Sequence, residues 1–274
     1  MTPLPRFNNP PVVEVALSVM IDPLDEFKAA HVGLLWNEFR DRFPKTNDQP
    51  PLDTPEEVEV EPRKQVGPTL QFEPIRMPML RTWFLNEDES ELLQIQSDRV
   101  ARNWRRANLT QPYPSYDNIK GPFKTDLNLV RHFIESNGIG DLKPKQCEVT
   151  YVNHIVAGEG WKTHADVGRV LVNWIEPPRT FLPEIEDARL AWRYVIRDKK
   201  TFVGRLHVSL QPAYRAKDGA DTQIFVLTLT ARGKPLGKGL DGAFAFLDLA
   251  HEWIVRGFKD LTTPDMHQVW RLQT

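Results

Sequence analysis

The chain is 274 residues long, 41% apolar, 10% aromatic and 26% charged, with 35 basic and 37 acidic residues and a formal charge of −2. This composition excludes a disordered chain and is long enough for one large core or two modest ones; no basic excess marks a nucleic-acid partner and no acidic excess marks a solvating tail. The single cysteine, Cys147, excludes an internal disulfide framework and a cysteine-cluster metal site.

Residues 1–23 carry one arginine, early prolines and an apolar run interrupted by Glu14, unlike a secretory signal. No apolar stretch nears the ~20 residues of a membrane span. A cytoplasmic protein is expected, and a lone cysteine fits a reducing compartment. The first element is a strand: Val13, Val15, Leu17, Val19 and Ile21 alternate with Val12, Glu14, Ala16, Ser18 and Met20. A helix is predicted over 24–43, striped by Val32, Leu35, Trp36, Phe39 and Phe43 and stopped by Pro44. Residues 45–55 are polar and proline-rich and read as a loop. Extended runs follow at 56–61, 68–75, 79–87 and 90–97, with the segment 86–90 as a hairpin turn. A second helix is predicted over 116–136, with Ile119, Phe123, Leu127, Val130 and Ile134 at steps of three and four and Gly138 just past its end.

The second half repeats the order. A strand is expected at 145–157, a short helix at 163–174, and extended runs at 186–197, 202–211 and 222–232. A last helix at 241–261 is striped by Phe244, Leu247, Ile254, Phe258 and Leu261. The expected fold is α+β: two similar halves, 1–140 and 141–274, each strand–helix–antiparallel strands–helix, closely packed, with helices on one face of antiparallel sheet. The join at 138–144 is too short for a free linker. The repeated order is what a tandem duplication leaves. The halves carry opposite charge, −5 for 1–140 and +3 for 141–274.

The sharpest local feature is Gln94, Gln96, Arg99, Arg102, Asn103, Trp104, Arg105 and Arg106, followed by Tyr113 and Tyr116. Gln94 and Gln96 share a face of one strand, Arg99 and Arg102 follow at the strand's end, and Asn103, Trp104, Arg105 and Arg106 are expected to leave it into a loop stiffened by Pro112 and Pro114. Arginine forks match carboxylate or phosphate, and aromatics supply stacking surface. The competing reading is a strand end whose arginines pair with local acids, the run 53–61 being available. His251 lies on the apolar stripe of the last helix, and Val255 stands where a zinc HExxH site needs its second histidine. It reads as a half-buried histidine bonded to Asp248 or a backbone group. His154, His164 and His207 have no metal-ligand spacing. Gly239 stands where a phosphate-binding loop at 233–239 needs Ser or Thr. Cys147, in an alternating strand, reads as an inert buried thiol. No metal or cofactor is expected. With the helices on one side, the other side of the sheet collects Glu14, Ser18, Gln94, Gln96, Thr150, His154, Arg205, His207, Ser209, Thr228 and Thr230, a polar face.

Several strings occur together in order: NPPVVEV at 9–15, QIQSDRVARNWRR at 94–106, YPSY at 113–116, CEVTYVNHI at 147–155, and LDLAHEWIVRGFKDLTT at 247–263 with Met266, His267 and Trp270. They resemble, almost end to end, a sporadically distributed family of bacterial proteins of about this length to which no biochemical function is attached. The resemblance implies a bacterial cytosolic protein, carried on mobile or defence-type cassettes, and brings no catalytic residues. The element order is also similar to the duplicated fold of TATA-binding and gyrase-inhibitor-like ligand-binding proteins. The leading expectation is a non-catalytic recognition or regulatory protein with a protein partner, in an anti-phage defence or toxin–antitoxin-type cassette. Eight tryptophans offer anchors for such binding. The alternative is a small-ligand sensor, its ligand anionic, using the polar sheet face. A nucleic-acid-acting enzyme ranks third, since no carboxylate spacing supports it. A homodimer through sheet edges stays open.

Overall fold

The computed structural model describes residues 3–53, 56–59, 80–108, 111–175, 180–217 and 220–273. Among them the elements, in chain order, are β1 (Arg6–Phe7), β2 (Val12–Ile21), α1 (Ala29–Phe39), β3 (Lys45–Gln49), β4 (Arg81–Leu85), β5 (Glu91–Gln96), β6 (Arg99–Arg105) and α2 (Tyr116–Ser136). Then come β7 (Pro144–Val156), α3 (Val167–Val170), β8 (Leu190–Asp198), β9 (Thr201–Lys217), β10 (Ala220–Gly233), α4 (Gly239–Leu261), α5 (Pro264–Val269) and β11 (Leu272–Gln273). The molecule is mixed α+β. Nine strands form one antiparallel sheet in the order β3-β4-β5-β6-β2-β7-β10-β9-β8, and β1 pairs separately with β11.

Residues directly opposite in an antiparallel pair share a face, so the registers sort the side chains. Val15, Leu17 and Val19 of β2 lie opposite Trp104, Arg102 and Val100 of β6 and Tyr151, Val149 and Cys147 of β7. The same face continues through Leu93 and Phe84 on one side and Leu229, Val208 and Leu206 on the other. Three helices cover it. Phe39 of α1 meets Phe84 with ring centroids 6.1 Å apart, Phe123 of α2 meets Phe244 of α4 at 5.9 Å, and His251 of α4 bonds Tyr151. Cys147 is fully buried there, and burial pushes its thiol pKa up. Close approach of chain to chain explains Gly233. A Cβ at this position would stand 2.0 Å from the carbonyl oxygen of Val203 and 2.5 Å from the Phe246 ring.

Five expectations are corrected. The helix over 24–43 is only Ala29–Phe39; Leu24 instead donates its N–H to the Ser97 carbonyl, tying that stretch to the β5–β6 turn. Lys45–Gln49, read as part of a loop, is an edge strand with almost wholly exposed side chains, so no apolar alternation betrays it. Of the extended run 56–61, residues 56–59 form no strand; the run 68–75 lies outside the described residues. Arg99–Arg105, expected as a strand end running out into a loop from Asn103, is a strand of its own, because Ser97 and Asp98 turn the chain straight back onto β5. The helix at 163–174 shrinks to the four residues of α3, and the chain continues as a bridge from Leu171 to Thr262.

Candidate functional site

The turn at 97–98 splits the arginine block by strand parity. Gln94, Gln96, Arg99, Asn103 and Arg105 face away from the helices, whereas Arg102 and Trp104 face them. Arg102 is 5% exposed and bonds both Asp126 of α2, itself fully buried, and Glu91. Arg42 also reaches Asp126, at 2.7 Å. Trp104 packs edge-on against Tyr113 at 5.6 Å. Arg106 reaches the carbonyl oxygen of Pro10 at 3.3 Å.

On the open face the polar side chains are linked across four strands. Glu14 accepts from Asn103 Nδ2 at 2.5 Å and from Arg105 Nε at 3.3 Å. Asn103 Oδ1 accepts from Gln94 Nε2 at 2.6 Å, and Gln94 Oε1 accepts from Arg81 at 2.7 Å and Trp83 Nε1 at 3.0 Å. The Arg105 guanidinium lies 4.8 Å from the Trp83 ring centroid. The registers place Ser18, Thr150, His154, Arg205, His207, Ser209, Thr228 and Thr230 on this same face, as the alternation predicts. Thr150 and Thr230 bond each other at 2.9 Å. A depression of about 310 Å³ runs along it between β8 and β10, bounded by Ala191, Arg193, His207, Ser209, Thr228 and Thr230.

Leu52, Asp53 and Glu57 lie on this face. Gln96 accepts from the Leu52 N–H at 2.9 Å and donates to the Leu52 carbonyl at 3.0 Å. Arg99 donates to the Asp53 carbonyl at 3.0 Å, and Gln146 Oε1 accepts from the Glu57 N–H at 2.7 Å. The Glu57 carboxylate, 6% exposed, sits 2.7 Å from both Arg205 and His207 Nε2 and 3.8 Å from Arg232. Burial pushes its pKa up, but the hydrogen bonds and charges of His207 and Arg205 outweigh that and hold it at about 2. Glu59 pairs with Arg197 at 3.1 Å. Among the described residues, the acidic run therefore serves the arginines of the second half, and of the block Arg99 alone touches it, through a carbonyl.

A second region lies on the helix side. Tyr113 and Tyr151 hydroxyls bond at 2.8 Å, and Tyr151 Oη bonds His251 Nδ1 at 2.9 Å. Tyr116 stacks on the His251 ring with centroids 4.0 Å apart and 3° between planes, and donates to Asp248 at 3.0 Å. Asp248 thus serves Tyr116 and Lys120, not His251 as the helix spacing suggested. Burial lowers the His251 pKa to about 4 and raises those of all three tyrosines. Phenols held protonated beside a neutral imidazole donate and accept hydrogen bonds, but they are poorly matched to proton transfer near neutral pH. These rings border a cavity of about 560 Å³, closed by residues near β1 and by Ile254 and Phe258. Ser115, at its rim, has φ of 83°, a strained value for a residue with a Cβ. Nothing in the sequence brought Tyr151 to Tyr113, because the two belong to β7 and to the chain entering α2.

Among the described residues no group of three His, Cys, Asp or Glu side chains is arranged to hold a metal ion, and no helix is long and apolar enough to cross a membrane. No protein-family model matches the chain, and no curated protein matches it.

Proposed function

We propose that the protein is a non-catalytic recognition protein that binds a protein partner on the open face of its sheet. One observation carries this reading: the face already holds polypeptide by its main chain, through Gln96 on Leu52, Arg99 on Asp53 and Gln146 on Glu57. Side-chain amides and a guanidinium that pair with peptide groups accept an extended chain without demanding one sequence, while neighbouring pockets select side chains. Gln96, Arg99, Asn103 and Arg105 thereby keep a place in the proposed surface, and Arg102 and Trp104 support it from the core side.

The reading extends to descent. From the central pair β2–β7 the sheet runs outward in reversed chain order on both sides, as β6-β5-β4-β3 and as β10-β9-β8, with β3 an added edge strand. This matched order supports two similar halves made by tandem duplication, in the manner of TATA-binding and gyrase-inhibitor-like modules. The resemblance to the sporadic bacterial family supports a cytoplasmic protein of a defence or toxin–antitoxin-type cassette.

The test is site-specific photo-crosslinking in the native host. A crosslinking residue at Thr228 or Arg193, on the open face, is expected to capture one and the same protein in stoichiometric amount, competed away by unmodified protein. The same residue at Lys124 or Arg131, on the outer side of α2, is expected to capture none. Capture from α2 alone overturns the reading.

A second reading, a small-ligand sensor, is favoured by the cavity beside Tyr116 and His251, whose volume of about 560 Å³ lies within the ~300–1,000 Å³ of small-molecule sites. A metabolite that raises the melting temperature of the native protein but not of Tyr151→Phe supports it.

A further inference from the structure

We infer that residues 50–53 and 56–59 are a built-in occupant of the recognition face, and that the partner is an acidic polypeptide segment that displaces them and seats its own carboxylate among Arg205, His207 and Arg232. The inference rests on the reading of the open face given above and adds the partner's chemistry and a self-occupied resting state.

The contacts divide as they do for a bound peptide. Four side chains hold main-chain groups at residues 52, 53, 57 and 58: Gln96, Arg99, Gln146 and Arg205; such contacts are indifferent to sequence. One pocket reads a side chain. Both Glu57 oxygens are engaged there, at 2.7 Å from Arg205 and 2.7 Å from His207, with Arg232 behind at 3.8 Å. Arg232 is steadied by Glu148 at 2.5 Å, so this side of the pocket keeps its place without Glu57. With Glu57 withdrawn, two guanidinium groups and an imidazole converge with Glu148 as the near counter-charge, and a partly buried cation cluster of this kind calls for an anion. The adjoining depression, which shares His207, gives a longer segment room to continue along β8–β10.

The occupant is held unevenly. Glu57 is buried, but the Glu59–Arg197 pair beyond it is about half exposed on both sides and holds weakly. Opening therefore starts from the Glu59 side. An acidic polypeptide fits better than a nucleic acid. Gln96 accepts from a peptide N–H and donates to a peptide carbonyl of the occupant, and a phosphate backbone has no N–H donor to offer it.

The experiment uses a fluorescein-labelled peptide of residues 50–60, PPLDTPEEVEV, and fluorescence anisotropy. In the native chain the tethered copy competes at an effective concentration of ~mM, so the peptide is expected to bind feebly. In the full-length Glu57→Gln variant it is expected to bind at least about tenfold tighter. A peptide with glutamine in place of that glutamate is expected to lose the gain, as is the Glu57→Gln/Arg205→Ala protein. A folded Glu57→Gln variant with no gain overturns the inference. So does a labelled oligothymidylate that binds this variant as tightly as the peptide, which points to nucleic acid. Hydrogen exchange on the unmodified protein covers a variant that fails to fold: the Leu52 and Glu57 amides are expected to exchange far faster than those of β7, and exchange as slow as β7 overturns the inference. If the variant gains no peptide while open-face crosslinks persist, self-occupancy is wrong and the reading of the face stands; if those crosslinks are missing too, the reading itself falls.

Discussion

Arg102 and Arg105 stand three residues apart on one strand and answer to different physics. Arg102 points into the helix layer, buried between Asp126 and Glu91, and removing it leaves one oxygen of the fully buried Asp126 carboxylate without its cation, with Arg42 on the other. Arg102→Ala is expected to cost ~3–5 kcal/mol of unfolding free energy. Arg105 is partly exposed over Trp83, and Arg105→Ala is expected to cost ~0–1 kcal/mol. Urea denaturation separates the two, and equal losses would contradict the placement of the strand. His251 makes a prediction in pH. Its folded-state pKa of about 4 lies below the ordinary 6.5, so the unfolded chain takes up a proton that the native protein refuses. Its contribution is complete above pH 6.5 and is lost as the pH falls toward about 4. Melting temperatures across that window should show this loss, and His251→Gln should flatten it. The shared face of Gln94 and Gln96 was legible from their spacing alone. The inward turn of Arg102 was not, because its partner Asp126 lies a helix away in sequence.

At the scale of elements, amphipathic segments declare themselves and polar ones do not. The apolar stripe of α2 sets bounds at 116 and 136 that the structure keeps, and β2 and β7 follow their alternation. β3 and β6 escaped because the first is a polar edge and the second carries buried polar groups on both faces. The placement of residues 50–53 and 56–59 escaped for another reason: they form no strand, and their contacts come from residues about 40 to 150 positions away. Its main side-chain contact responds to acid. The Glu57 pKa of about 2 lies below the ordinary 4.5, so the contact is at full strength above pH 4.5 and is lost as the pH falls toward 2. Hydrogen exchange at Leu52 and Glu57 should accelerate, relative to β7, on acidification through that range. The β9–β10–α4 packing makes a separate prediction. Gly233→Ala would drive a methyl into the Val203 carbonyl and the Phe246 ring, and is expected to lower stability by ~1–3 kcal/mol in thermal or urea unfolding. An unchanged stability would contradict the close approach of the two strands.

For the whole molecule the decisive pairing is β2 with β7, from Val12 opposite Asn153 to Ile21 opposite Pro144. It puts the first long strand of each sequence half, β2 and β7, at the centre of one sheet, so 1–140 and 141–274 are expected to unfold in a single calorimetric transition. Two resolved transitions would contradict that continuity. The helices gather on one side and leave the other to arginines, glutamines and hydroxyls, a division that strand alternation foretold without saying what would lie across it. The most direct measurement of the account is quantitative partner capture by two charge-reversed proteins of native melting temperature. The pair Arg105→Glu/Arg193→Glu alters the open face, and Lys124→Glu/Arg131→Glu alters the exposed side of α2. The account predicts at least a tenfold loss of capture for the first pair and none for the second; a loss confined to the α2 pair would contradict it.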